Sequence, residues 1–293
     1  MNKKVLFATI LALITSIAAD IILQQTIGYV PAWIVYAKFV FLASMYVLSM
    51  LISKLREFSS FILILATITL VNQITTTIRN SQYWHFAFDT STFAGNFSSS
   101  ILLKFIGIVP VIAVLFILFK SGKEFYLCKG DLATKANKIS WLGINSNTIS
   151  WGKLSVISAV FISFGTILLT IFTVTNLSEA KGIVGFIKYI PLIVVLALGN
   201  SFCEGLLFRS AILGTLKNVL PKNSVVFIAA MFFGIGHYYG APSGIVGIAM
   251  SGLLGWYMCR SMYETKGFVS SWIIHFAQDF VIFSTIYLLG NFA

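Results

Sequence analysis

The chain has 293 residues, of which 58% are hydrophobic and only 10% are charged. Soluble globular proteins carry about 25% charged residues, so this chain has too little polar surface to form a water-facing globule. The net charge of +11 would suggest nucleic-acid binding in a soluble protein. Here most positive residues lie between apolar runs, where they indicate membrane topology. Composition therefore predicts an integral, multi-pass membrane protein without a nucleic-acid partner.

Nine apolar segments follow one another along the chain. Several exceed the ~20 residues that a helix needs to cross ~30 Å of hydrocarbon, and helices are expected because backbone groups in lipid must be hydrogen-bonded within their own segment. We therefore predict an all-α fold, a polytopic transmembrane helical bundle of about eight or nine spans. Segment 223–238 is short enough for a tilted or partly re-entrant helix, and 185–216 is long enough for a kink near Gly199. The nine segments are 4–24, 33–53, 58–76, 101–119, 153–176, 185–216, 223–238, 242–259 and 268–290.

The positive residues sort by side of the membrane. If the N-terminus is inside, most of them fall in inner loops, and the outer loops hold only Arg79 and Lys181. Because cytoplasmic loops carry the excess of Lys and Arg, we predict a cytoplasmic N-terminus. Lys3 and Lys4 before an apolar run resemble a secretory signal peptide, but the charge pattern fits better if 4–24 is retained as the first span. Four further cations lie within or at the edges of spans: Lys38, Lys104, Lys188 and Arg209.

Two polar stretches divide the apolar segments into regions. Residues 77–100 predict an outer loop. Residues 120–152, with five lysines and two tryptophans, predict a basic cytoplasmic connector that either lies near anionic lipid or is a plain solvated linker. The connector separates an N-terminal four-helix membrane region (1–119) from a C-terminal core (153–293). We expect the chemistry in this core, because the first four spans contain few ionisable groups.

Four ionisable residues of the C-terminal core are candidates for an active site. An ionisable group in hydrocarbon costs roughly 2.5–3.5 kcal/mol on insertion scales, so its presence in a span indicates function. Glu204 lies at least ~15 Å from the inner lysines along a helix, where a carboxyl suits general-base chemistry. His237 ends an apolar run, and His275 and Asp279 share one helix face at a spacing of four. Together these groups can activate water, bind zinc or relay protons.

Each candidate also fits a structural role by itself. Glu204 fits an ion pair between helices, and His237 fits an interfacial histidine. His275 and Asp279 fit a local hydrogen bond within one helix. Arg209 follows Glu204 by five residues, about 140° around an α-helix, so we expect it to pair across helices or to extend toward the inner surface.

Three motifs give these residues a common interpretation. Their patterns are Glu-Glu-x-x-x-Arg, Phe-x-x-x-His and His-x-x-x-Asn/Asp, in this order on successive transmembrane helices. The stretches that match them are Glu204–Arg209, Phe233–His237 and His275–Asp279. They resemble the CAAX protease and bacteriocin-processing family (CPBP, also called Abi). The resemblance covers roughly residues 185–290 and implies an intramembrane endopeptidase core.

The resemblance implies a role for each catalytic candidate. In the family the first glutamate is held to be the base that activates water, aided by the first histidine. Glu204 and His237 match these two positions. His275 and Asp279 would form the pair that stabilises the oxyanion or polarises the substrate.

One position departs from the family pattern. The second glutamate of the first motif is Gly205 in this chain. That glutamate would normally support the first, so its absence puts the rate, and the activity itself, in question. Arg209 and Phe233, which complete the first two motifs, are the expected supporting residues.

The resemblance leaves the cofactor open. A glutamate mechanism, which we favour, needs no metal, whereas a zinc ion would be bound by Glu204, His237 and His275. The resemblance further implies a peptide or protein substrate, lipidated or membrane-embedded, with membrane lipid as a partner. It places the chain in a bacterial cell membrane.

The sequence is therefore compatible with three functions. The first is an intramembrane endopeptidase of the CPBP type. The second is a non-catalytic relative, a bacteriocin self-immunity factor or scaffold, which Gly205 favours. The third is a proton-coupled transporter, which the absence of an internal repeat and of paired broken helices in both halves disfavours.

Overall fold

The computed structural model describes residues 2–173, 183–240 and 242–289. In these ranges the chain folds as a bundle of helices, which confirms the predicted all-α polytopic class. Lys181, predicted in an outer loop, lies outside the described residues. The helices are α1 (Lys3–Thr15), α2 (Ala18–Ile27), α3 (Ile34–Leu51), α4 (Ser59–Arg79), α5 (Gln82–Ala87), α6 (Phe93–Leu118), α7 (Trp151–Thr173), α8 (Ile183–Glu204), α9 (Ala211–Leu216), α10 (Lys222–Gly236), α11 (Gly244–Thr265) and α12 (Val269–Leu289).

Six helical runs of the described chain are long and apolar enough to cross a membrane. They are α3, α4 with the 3-10 turn before it, α6, α7, the run Gly185–Leu216 and α12. α1 and α2 together make a seventh, whereas α10 has only 15 residues. The predicted eight or nine spans therefore exceed the number of helices that meet these criteria, because α10 and α11 are not among them.

The first apolar segment is bent rather than continuous. α1 and α2 meet at an angle of 55°. Lys38 of α3 is buried, and its Nζ donates to the carbonyl oxygen of Ser16 at 2.8 Å and to both carboxylate oxygens of Asp20 at 2.9 Å. This ion pair fixes the bend and joins α3 to it.

The polar stretch 77–100 is mostly helical, so its prediction as a loop is wrong. α4 continues to Arg79, α5 follows, and α6 begins at Phe93. Ser81 and Thr92 accept hydrogen bonds from backbone N–H groups at the starts of α5 and α6. These polar residues are helix caps, which is why their composition resembled that of a loop.

The connector 120–152 is packed against one end of the bundle. Trp151 is fully buried at the start of α7. Gly130 has φ of +73°, and a Cβ there would lie 2.7 Å from the Cα of Gly267, so only glycine permits this contact. The connector is therefore a folded element, and its proximity to anionic lipid stays a prediction.

Glu264 joins the connector to the bundle. Its Oε1 accepts from Lys222 Nζ at 2.8 Å and from Arg260 Nε at 3.0 Å. Its Oε2 accepts from the Trp151 indole at 2.8 Å and the Asn137 backbone amide at 3.0 Å. Glu264 is the residue before the last of α11, which is outside the six candidate spans. Burial would raise the pKa of Glu264, but the hydrogen bonds from Lys222, Asn137 and Trp151 lower this pKa to about 2.

Replacing Glu264 should destabilise the fold in a pH-dependent way. We expect Glu264→Gln to lower the free energy of unfolding by about 2 kcal/mol at neutral pH, since charged hydrogen bonds are lost. The pKa of Glu264 is depressed in the fold, so its contribution is complete above the ordinary value of 4.5 and is lost as pH falls toward about 2. Thermal unfolding in detergent across this pH range measures the difference between variant and wild type.

Glu57 provides the control for this experiment. It forms a surface ion pair with Lys4 at 2.7 Å, and surface pairs contribute little. Glu57→Gln should therefore unfold like the wild type. Equal unfolding temperatures for Glu264→Gln and Glu57→Gln at neutral pH would contradict the role of Glu264.

Candidate active site

Glu204 lies at a change of helical geometry. It is the last residue of α8, and the turn that follows, Gly205–Ser210, is a π-helix. Short π-turns within helices are frequent at functional sites. The irregularity follows Glu204 and is not at Gly199, where the sequence suggested a kink, because α8 continues through Gly199.

The π-turn also changes the position of Arg209. Its hydrogen bonds join residues five apart, so the spacing from Glu204 no longer separates the two side chains as it would in an α-helix. Arg209 is fully buried, and its Nη2 donates to Nδ1 of His275 at 2.9 Å. Its guanidinium also lies 5.4 Å from the ring centre of Phe233. The expected pairing across helices is therefore present, whereas extension toward the inner surface is not.

Two histidines from different helices converge on one oxygen of Glu204. Glu204 Oε2 lies 3.7 Å from Nε2 of His237, which follows the last residue of α10. The same oxygen lies 3.5 Å from Nε2 of His275 on α12. His275 Nε2 is also 3.6 Å from Asp279 Oδ1. The structure thus brings the four candidates from the sequence into one cluster.

The two imidazoles are held in opposite tautomers. His237 Nδ1 is 2.8 Å from the carbonyl oxygen of Phe233, which only accepts, so Nδ1 carries the proton and neutral His237 presents a lone pair at Nε2. Arg209 only donates, so His275 Nδ1 must accept and its proton is on Nε2. His237 therefore offers an acceptor toward Glu204, and His275 offers a donor.

These groups match the hydrogen bonding of a water molecule. Glu204 Oε2 is buried and has no hydrogen-bond partner within the described residues. Oε2 and His237 Nε2 are two acceptors, and the His275 Nε2–H is one donor; both nitrogens lie within 3.7 Å of Oε2. A water molecule has two protons to donate and lone pairs to accept, so the cluster can hold and deprotonate it.

Two residues that sequence reasoning missed complete the cluster. Lys104 of α6 donates from Nζ to Glu204 Oε1 at 2.6 Å and also to Asn200 Oδ1. The Asn200 amide in turn donates to Asp279 Oδ2 at 3.0 Å. Lys104 is an ionisable residue within an apolar span, so the rule that selected Glu204 also applies to it. The cluster therefore includes a residue of the N-terminal region, although the sequence predicted almost all of the chemistry in the C-terminal core.

Glu204 and His237 line a cavity of about 1090 Å³. Binding pockets for small ligands measure roughly 300–1,000 Å³, so this one can hold a peptide segment. Much of its wall comes from α3, α4 and α6 of the N-terminal half, including Lys104. His275 and Asp279 are buried behind Glu204, with side chains 3% and 7% exposed, so a ligand in the cavity meets Glu204 and His237 first.

The protonation of the two histidines does not fit a zinc site. A zinc ion bound by Glu204, His237 and His275 would need an unprotonated Nε2 on both histidines. The contact with Arg209 instead places the proton of His275 on Nε2. Within the described ranges no group of three or more His, Cys, Asp or Glu side chains has the arrangement of a metal site.

The fold and the cluster define a multi-pass membrane protein with a carboxylate–imidazole site between its helices. Residues 186–281 match the family model of Rce1-like proteins, described as type II CAAX prenyl endopeptidase Rce1-like. This match confirms the resemblance predicted from the three motifs, for the C-terminal part of the chain. Residues 1–185 are unmatched. No curated protein and no solved structure matches the chain.

The tautomer of His275 predicts that the protein binds no zinc at this cluster. We expect the purified protein to contain no stoichiometric zinc, and chelator treatment to leave its thermal unfolding unchanged, because the His275 Nε2–H cannot ligate a metal. Elemental analysis and unfolding curves with and without chelator measure this. One zinc ion per chain that is lost on His237→Ala substitution would contradict the assigned tautomers.

Proposed function

We propose that this protein is an intramembrane endopeptidase in which Glu204 activates water. The observation that carries the proposal is the position of Glu204 Oε2, buried and facing His237 and His275 at 3.7 and 3.5 Å. The family match over residues 186–281 independently supports a peptidase of the membrane.

Each group has one task in the proposed reaction. A water molecule held by Glu204 and His237 attacks the carbonyl carbon of the scissile peptide, and Glu204 takes its proton. The Nε2–H of His275 donates to the oxygen on which negative charge develops. Arg209 fixes the tautomer that makes this donation possible. Glu204 then passes its proton to the leaving nitrogen as the C–N bond breaks.

The substrate we propose is a lipidated or membrane-embedded peptide or protein segment that binds in the cavity. The matching family is described by its action on CAAX prenyl substrates, so prenylated peptides belong in the substrate panel with unmodified ones. The location we propose is a bacterial cell membrane, as the family resemblance implies. The N-terminus is placed in the cytoplasm by this proposal, supported by the distribution of Lys and Arg.

The direct test is cleavage of a peptide panel by the protein in liposomes. We expect Glu204→Gln to lower kcat by about 100- to 10,000-fold, the range for loss of a general base. We expect His275→Ala to lower it by about 100- to 1,000-fold, the range for loss of an oxyanion donor. Mass spectrometry of the products gives the cleavage site and the rates.

Gly205 favours one alternative, a non-catalytic membrane protein in which the cluster only joins helices. The Glu204→Gln variant separates the two functions, since its carboxamide preserves the shape of the side chain. Equal cleavage by wild type and Glu204→Gln, or cleavage by neither, would overturn the endopeptidase proposal. A change in thermal stability without any activity would support the alternative.

The cavity lies toward the end of the bundle opposite the connector. Its wall includes Tyr36 near the start of α3, Arg79 at the end of α4, and Tyr239 after α10. The connector instead contacts the last residues of α11 and the residues just before α12, as in the hydrogen bond from Asp131 N to Thr265 O. With the N-terminus inside, the cavity therefore opens toward the outer side.

Cysteine labelling tests this topology without relying on activity. In a chain whose three natural cysteines are replaced by alanine, we expect Tyr239→Cys to react with a membrane-impermeant thiol reagent added to intact cells. Trp141→Cys, in the connector, should react only after permeabilisation. Both positions are well exposed, at 63% and 58%, so the reverse pattern would show that the cavity opens to the cytoplasm.

A further inference from the structure

Lys104 contacts the proposed catalytic glutamate from outside the matched family region. It is on α6, and the family match begins only at residue 186. Its Nζ lies 2.6 Å from Glu204 Oε1, and its side chain is 38% exposed, compared with 11% for Glu204. Both residues line the cavity. Lys104 therefore contacts one carboxylate oxygen of Glu204, and the two histidines face the other.

The backbone at Gly205 explains why this support comes from another helix. A Cβ at this position would lie 2.6 Å from Cζ of Phe268 and 2.8 Å from Nη2 of Arg209. A glutamate there would displace the guanidinium that fixes the tautomer of His275. The second glutamate of the motif thus cannot be accommodated in this packing.

We propose that Lys104 is a positioning residue that holds Glu204 in the orientation required for water activation. It binds Oε1 and leaves Oε2 directed at His237 and His275. This inference rests on the proposed endopeptidase function. In this role Lys104 replaces the support that the second glutamate of the motif normally gives to Glu204.

Lys104 is itself held in place by a chain of hydrogen bonds. Asn200 precedes Glu204 by four residues, one helical turn. Its Oδ1 accepts from Lys104 and its amide nitrogen donates to Asp279 Oδ2 at 3.0 Å. One amide thereby connects Lys104 to the helix that carries His275. Without Lys104, Oε1 of Glu204 would be a buried acceptor lacking its donor, and the carboxylate could turn away from the histidines.

The test compares Lys104→Met with Lys104→Arg in the peptide-cleavage assay. We expect Lys104→Met to lower kcat by about 100-fold, as for a misplacement of about 1 Å in reacting groups. KM should change less than kcat, because Lys104 is only one of the many residues that line the cavity. Lys104→Arg keeps a donating cation and should restore kcat to within about tenfold of wild type. If Lys104→Met does not fold, Lys104→Gln replaces it under the same criteria.

Lys222→Met is the matched control. Lys222 also pairs with a buried glutamate, Glu264, at 2.8 Å, but outside the cavity. The Lys222→Met substitution should lower thermal stability and leave kcat unchanged. This result would separate the positioning of a catalytic group from a loss of stability. A wild-type kcat in Lys104→Met, or an equal fall of kcat in Lys222→Met, would overturn the role of Lys104 alone. Failure of the wild type to cleave any peptide would instead overturn the proposed function.

Discussion

A carboxylate buried among apolar helices has to be surrounded by hydrogen-bond donors and positive charge, because its desolvation is costly. The packing around Glu204 meets this requirement for only one of its two carboxylate oxygens. Lys104 satisfies Oε1 at 2.6 Å, whereas Oε2 has no hydrogen-bond partner in the described part of the chain. This asymmetry leaves Oε2 facing the histidines. The other contacts of the cluster depend on it.

Contacts behind the histidines determine what each of them can do. The Phe233 carbonyl oxygen accepts from His237, and Arg209 donates to His275, so two identical side chains become one acceptor and one donor. The π-turn between Glu204 and α9 is what brings Arg209 to this position. The hydrogen bonds of this turn span one residue more than those of an α-helix. They thereby determine which ring nitrogen of His275 carries the proton.

The sequence predicted the membrane class, the helical fold and the four cluster residues, since apolar length and buried ionisable groups are local signals. It did not predict Lys104 or Asn200 as partners of Glu204, because contacts between helices distant in the chain have no periodicity of their own. The polar stretch 77–100 was misassigned because helix caps and loops use the same residues. The sequence predicted eight or nine spans, whereas six or seven helical runs of the described residues are long and apolar enough to cross a membrane, because α10 is short and α11 is not among them.

The N-terminal half is more than a membrane anchor for the matched region. α6 supplies the cation at Glu204, and α3, α4 and α6 supply much of the cavity wall. The motifs of residues 186–281 contain most of the proposed reacting groups but little of the cavity wall that a substrate would contact. Under the proposed function, substrate choice would be determined mainly by the unmatched region, through its shape and charge, while the matched region would supply the reacting groups. Related chains could therefore share one chemistry and differ in what they cleave.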